Sequence, residues 1–165
     1  MDRNKVTSTL QQRPPAFAVS TRPGPGGKPV PYLAGEAAVD LANLTFGYDG
    51  WSNEMKDMSL DWLEEKKPGL WSCGVTVVMK VTLTTGGARE DVGCWSCECK
   101  TKGEALELAR KGAVTDALKR CLRLFGHRLG NGLKAPAPPT QPKRQRLSSQ
   151  DWVECYIPDD ILRAL

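Results

Sequence analysis

The chain has 165 residues, of which 40% are hydrophobic and 25% are charged, and its formal net charge is +4. This length suits one domain with a core of its own, and the hydrophobic fraction is too high for a disordered chain. No run of apolar residues is long enough to predict a transmembrane helix, and the N-terminus lacks the apolar centre of a secretory signal. The six cysteines are therefore expected to be reduced, as in cytosolic and nuclear proteins.

The first part of the chain predicts a helix, a loop, a strand and a second helix. Residues 6–12 predict a short helix that ends before Pro14, and the prolines and glycines of 22–29 predict a mobile loop. Residues 30–33 predict a short strand. From Gly35 apolar residues recur at helical spacing through Phe46, and Gly47 is expected to end that helix. We therefore treat residues 1–29 as an N-terminal segment and residues 30–133 as the folded domain.

The centre of the chain predicts three antiparallel strands followed by a long helix. Strands are predicted over 52–62, 73–83 and 88–99, and every odd position from Cys73 to Leu83 is apolar. Gly86 and Gly87 predict the hairpin between the last two strands. A helix is predicted from Gly103 to Phe125. Its apolar stripe consists of Leu106, Ala109, Ala113, Ala117, Leu118, Cys121, Leu122 and Phe125. The predicted class is α+β, with a β-β-β-α core whose sheet packs against the long C-terminal helix.

Beyond the domain, two segments of contrasting charge are predicted. Residues 134–150 are rich in proline and basic residues and predict a linker, whereas residues 151–165 form a short, acidic, amphipathic tail. The basic group at 143–146 resembles a weak nuclear localisation signal, and a plain soluble linker is the alternative.

Positive charge is concentrated in the second half of the long helix. Residues 110–128 contain six basic residues and one acidic residue, Asp116. At 100° per residue, Lys119, Arg120 and Arg123 project within about 100° of one another, away from the alanines of the stripe. Such a wedge suits a row of phosphates, and Asp116 is expected to orient it. An ordinary solvated helix face is the alternative, and charge by itself leaves both open.

The cysteines at 94, 97 and 99 have a spacing that is compatible with a zinc site. No second pair of cysteines lies at the sequence spacing that a zinc site requires, and the single histidine, His127, is remote in sequence. On a strand Cys97 and Cys99 share one face and Cys94 lies on the other. The pattern therefore favours small buried hydrophobic residues over metal ligands or a catalytic thiol, and neither a metal nor a cofactor is expected.

Residues 22–133 resemble the N-terminal domain of the Rad-fifty-two family of single-strand annealing proteins. Several long motifs carry the resemblance. They are Val30-Pro31-Tyr32-Leu33-Ala34-Gly35, Leu41-Ala42-Asn43, Phe46-Gly47-Tyr48-Asp49-Gly50-Trp51-Ser52, Glu90-Asp91-Val92-Gly93, the helix Ala109–Arg120, Leu122-Arg123, Phe125-Gly126 and Leu129-Gly130-Asn131.

The resemblance implies a β-β-β-α core that assembles into closed rings, with a basic groove that holds single-stranded DNA by its backbone. It implies annealing of complementary strands in homologous recombination and double-strand break repair, in the nucleus and without a catalysed covalent step, so no enzyme is expected. Position by position, the groove residues are Arg22, Lys119, Arg120 and Arg123. A second, outer basic site is expected at Lys100 and Lys102, with Lys66 or Lys67 as further candidates.

The sequence departs from the family pattern in several places. Cys94 and Trp95 stand where the family has Tyr-Gly, and Gly112 replaces an acidic residue within the long helix. A glycine there weakens a helix by about 1 kcal/mol. The family's long C-terminal region, which contacts a recombinase and a single-strand-binding protein, has no counterpart here. Annealing is therefore expected, and recombinase loading is not.

Two other classes of function remain as alternatives. A double-stranded RNA-binding module has the same α-β-β-β-α order and a basic final helix. It would be monomeric and would prefer duplex RNA, whereas an annealing protein would form a ring and prefer single-stranded DNA. A zinc-dependent enzyme would contain stoichiometric metal.

Overall fold

The computed structural model describes residues 3–133, and the predicted linker and acidic tail lie outside this part of the chain. Three helices and five strands follow one another. They are α1 (Arg3–Gln11), β1 (Val19–Pro23), β2 (Pro29–Leu33), α2 (Gly35–Phe46), β3 (Trp51–Lys67), β4 (Leu70–Leu83), β5 (Ala88–Cys99) and α3 (Lys102–Arg123). None of the helices in residues 3–133 combines the length and hydropathy that crossing a bilayer requires.

The main sheet is antiparallel with the strand order β3-β4-β5, and α3 packs across one of its faces. The central strand β4 alternates as its sequence predicts. Its inward residues are buried beneath α3: Cys73, Val75, Val77, Met79 and Val81. The α+β class, the three-stranded antiparallel sheet and the long helix that packs on it are confirmed.

Helix α3 lies close to the sheet because the side chains between them are small. Alanines recur every fourth residue along its buried edge at 105, 109, 113 and 117, and none of the four is exposed to solvent. On the opposing strand, Gly93 is also buried, and a Cβ added to it would lie 2.1 Å from the backbone nitrogen of Ala117. Of the predicted stripe, Leu118 is only half-buried, since it lies at the margin of this contact.

Polar groups fix both ends of α3. Thr101 caps its N-terminus, where the hydroxyl oxygen accepts a hydrogen bond from the Glu104 backbone N–H at 3.2 Å. The thiol of Cys97 donates to the carbonyl of Ala105, and the thiol of Cys121 donates to the carbonyl of Met79. These thiols therefore tie the helix to the sheet.

The predicted loop at 22–29 is a hairpin in the structure. Strands β1 and β2 pair antiparallel from Val19 opposite Leu33 to Pro23 opposite Pro29, and a single 3-10 turn joins them. The prolines obscure this hairpin in the sequence, but a two-stranded ribbon tolerates them because its outer edges need no N–H donors. The consequence is that Arg22 sits on a paired strand rather than in a loop.

Candidate nucleic-acid interface

The four cations predicted for the groove line one cavity of about 270 Å³ beside the C-terminal half of α3. We call this cavity the basic groove. Arg22 comes from β1, whereas Lys119, Arg120 and Arg123 come from α3. The guanidinium of Arg22 lies over the ring of Tyr32 on the neighbouring strand, 5.8 Å from its centroid. The hairpin and the helix therefore form the two walls of the groove, and each wall contributes positive charge.

Arg120 is oriented by Asp91, not by Asp116 as the sequence suggested. Its Nε lies 3.2 Å from Asp91 Oδ1, and the same carboxylate oxygen accepts the N–H of Val92 at 2.8 Å. Asp116 does line the groove, but the structure gives it no ion pair within 4.0 Å among residues 3–133. Asp91 belongs to β5, so the strand sets the position of one groove cation on the helix.

On α3, Lys119 and Arg123 are the groove cations available to an anion. Neither has a carboxylate within 4.0 Å in the described part of the chain, and the Arg123 side chain is exposed. Both lie near the C-terminus of α3, where the helix dipole favours positive charge. An anionic ligand can therefore bind these two side chains without first displacing an intramolecular carboxylate.

The opposite face of the sheet has the reverse charge. Its outward positions on the two edge strands carry carboxylates: Glu54, Asp57, Asp61, Glu64, Glu90 and Glu98. Two lysines of this face are paired, Lys66 with Glu98 at 2.7 Å and Lys80 with Glu90 at 3.7 Å. A polyanion is consequently repelled from this open face and attracted to the helix side of the molecule.

The residues of the predicted outer site lie away from the basic groove. Lys102 begins α3, so about 25 Å of helix separates it from Lys119. Lys100 and Lys102 are exposed, and the ammonium of Lys102 lies over the ring of Trp71 at 5.5 Å. Lys66 forms a hydrogen bond with Glu98 that lowers the pKa of that carboxyl. The structure thus separates Lys100 and Lys102 from the groove and leaves Lys66 already paired.

The cysteines of β5 lie as strand geometry predicts. Cys97 and Cys99 pack against the core, whereas Cys94 is exposed beside Thr76 on the open face. Burial raises the pKa of the Cys73, Cys97 and Cys121 thiols, which disfavours the thiolate form. In residues 3–133 no three Cys, His, Asp or Glu side chains are grouped closely enough to hold a metal ion.

Two of the departures from the family pattern contact each other. The indole of Trp95 lies against the backbone of Gly112, where an added Cβ would stand 2.3 Å from Trp95 Cγ. Gly112 is therefore not simply a weak point in α3. The missing side chain leaves the space that the indole occupies, so the two unusual residues are explained together.

Replacing Gly112 by alanine tests this contact, because the contact determines whether the substitution raises or lowers the stability of the protein. A mid-helix Gly-to-Ala change normally stabilises by about 1 kcal/mol. Here the methyl group collides with the indole, so we expect thermal unfolding to show no gain or a loss in the native background. In a Trp95→Ala background the same change should stabilise the protein by about 1 kcal/mol. Equal effects in the two backgrounds would show that the contact does not constrain position 112.

The fold is an α+β domain with a cationic groove on one side and an acidic sheet face on the other. This distribution of charge is typical of proteins that bind an extended polyanion on one side. A family model described as a Rad52/22 family double-strand break repair protein matches residues 2–148. The chain belongs to this family, as its motifs predicted, and thus to the DNA double-strand break repair and recombination proteins.

Individual relatives agree with this assignment. The chain is 42% identical over 132 residues to the DNA repair and recombination protein rti1 of Schizosaccharomyces pombe, covering 79% of this chain and 36% of that protein. It is 48% identical over 132 residues to RAD52 of Kluyveromyces lactis (79% and 30%) and 47% identical over 116 residues to RAD52 of Saccharomyces cerevisiae (70% and 24%). The chain therefore spans roughly a quarter to a third of these relatives' length.

Proposed function

We propose that this protein binds single-stranded DNA by its backbone and anneals complementary strands during double-strand break repair, without catalysing a covalent step. The single observation that carries the proposal is the convergence of Arg22, Lys119, Arg120 and Arg123 in one groove, with Lys119 and Arg123 not engaged by carboxylates. Family membership supplies the context of DNA repair, which charge alone did not.

Backbone binding in the basic groove supports annealing for a physical reason. Cations that contact phosphates reduce the repulsion between two approaching strands, and counterions released from the DNA favour the complex. The groove offers charged side chains for phosphates on both of its walls. The bases of the bound strand then remain available to a complementary strand.

The proposal includes self-assembly into a ring. Several large apolar side chains of residues 3–133 are exposed, among them Phe17 and Tyr48, each 87% exposed, and Leu44. Apolar side chains of this size would be removed from water by packing against another chain, which favours association. A ring would place successive basic grooves along one continuous path, so that a strand binds several protomers at once.

A second DNA contact at Lys100 and Lys102 belongs to the same proposal. Their distance from the basic groove means that a strand held there is separate from the first, which suits a protein that brings two strands together. We propose the nucleus as its location.

Competition between ligands tests the proposal against the double-stranded RNA alternative. We expect labelled single-stranded DNA to be displaced by unlabelled single-stranded DNA at concentrations at which duplex RNA of equal length has little effect. The protein should also accelerate annealing of complementary oligonucleotides, and its native mass should be several times the 18.1 kDa of one chain.

The outcomes separate the two functions clearly. Preferential displacement by duplex RNA, together with a monomeric mass, would support the RNA-binding module instead. Binding of single-stranded DNA without faster annealing would reduce the function to strand protection. The family match gives the RNA alternative no support.

A further inference from the structure

A second groove adjoins the basic groove along α3. Its lining residues are Trp95, Leu108, Lys111, Gly112, Thr115, Asp116 and Lys119, and its volume is about 350 Å³. We call it the Trp95 groove. Asp116 and Lys119 line both grooves, so the two form a continuous surface. On the helix, Gly112 and Lys119 are seven residues apart, which places them on one face at a separation of about 10.5 Å.

The floor of the Trp95 groove is an aromatic ring held in place. Trp95 is 44% exposed, although one side of its indole lies against Gly112. A ring supported on one side and open on the other loses little conformational freedom when a flat ligand stacks on it. Aromatic side chains arranged in this way stack nucleobases with little sequence preference.

The charges around the ring favour a base over a phosphate. Asp116 has no ion pair within 4.0 Å in the described chain, so its carboxylate repels a phosphate placed beside it. Lys111 is already paired with Glu107. Lys119, in contrast, is available to the phosphate of an adjoining nucleotide. The groove therefore offers an uncharged stacking surface next to one unpaired cation.

We propose that Trp95 stacks a nucleobase of the single-stranded DNA whose backbone occupies the basic groove. This inference rests on the proposed function. It adds a base contact to a site otherwise built for phosphates, and it sets the position of one nucleotide on each protomer. The two unusual residues Trp95 and Gly112 together form the platform.

The open face of the sheet provides a matched control. Trp62 is 43% exposed and its indole also lies over a glycine, Gly74. Its Nε1 donates to the Ser72 hydroxyl at 3.0 Å, and Glu64 and Glu98 line the cavity beside it. This second tryptophan has the same exposure but acidic surroundings, so it is not expected to meet DNA.

The test compares an oligothymidylate with an abasic oligomer of the same length and charge, using the full chain. Wild type should bind the oligothymidylate about tenfold more tightly, as one stacked base provides. Trp95→Ala should lose this preference but keep its affinity for the abasic oligomer, its salt dependence and its native mass. Trp62→Ala should behave as wild type. Fluorescence quenching by oligothymidylate should largely disappear in Trp95→Phe, which preserves packing if the alanine variant unfolds.

Each outcome of this test either supports or overturns the proposal that Trp95 stacks a base. Wild type that binds both oligomers equally overturns the stacking proposal but leaves the proposed function intact. Trp95→Ala with an unchanged preference overturns it as well, and a changed native mass would assign Trp95 to a subunit contact instead. Wild type that binds neither oligomer overturns the proposed function, and the inference fails with it.

Discussion

Replacing Lys119 and Arg123 together by alanine is expected to weaken binding of single-stranded DNA about a hundredfold, if each removes one charge-assisted phosphate contact of about 1.5 kcal/mol. The salt dependence of DNA binding should become weaker as well. The slope of log K against log salt decreases by about 0.7 for each phosphate contact on a single strand, so the double variant should lose about 1.4. Fluorescence anisotropy over a salt series measures both quantities.

Stability should be unaffected by this double substitution. Arg123 is exposed, Lys119 is half-buried, and neither is paired with a carboxylate in the described chain. Alanine is also a good helix former. A variant with the same loss of charge, Lys5→Ala with Lys56→Ala, removes exposed cations that do not line the groove, and its affinity should fall less than about threefold. Equal losses in the two variants would mean that net charge, rather than the groove, governs binding.

The basic groove was largely predictable because three of its four cations lie within five residues on one helix. Helical periodicity alone places Lys119, Arg120 and Arg123 within about 100° of one another around the axis of α3. The place of Arg22 in the groove could not be predicted in this way. Its position depends on the pairing of β1 with β2, and the prolines and glycines of that segment hide the strand pattern. Only the family resemblance placed Arg22 in the groove.

Contacts across the fold were not predictable from local pattern. Asp91 and Arg120 are 29 residues apart, and their ion pair exists because β5 and α3 pack closely. Asp116 was the natural candidate in sequence, since it lies one helical turn before Arg120. In the sequence, Trp95 and Gly112 are two separate departures from the family pattern. Their mutual contact requires the same packing of β5 on α3, which period-2 and helical signals do not specify.

Gly93 is the residue on which that packing depends most, and Gly93→Ala is expected to destabilise the protein strongly. The added Cβ would lie 2.1 Å from the nitrogen and 2.5 Å from the Cα of Ala117. These are backbone atoms of a buried helix, so α3 must move away from the sheet. Overpacking of this kind costs about 3 kcal/mol, a fall in melting temperature of roughly 10 °C.

The same substitution should also weaken DNA binding, because it displaces groove residues without altering any of them. Asp91 lies two residues before Gly93 on β5, and Arg120 lies three residues after Ala117 on α3, so separating the strand from the helix separates the ion pair. Gly103→Ala is the control. It adds the same methyl group to the first turn of α3, where no atom lies within 4 Å, and should be neutral or slightly stabilising. If calorimetry shows the two variants equally stable, β5 and α3 do not approach each other as closely at Gly93 and Ala117 as described above.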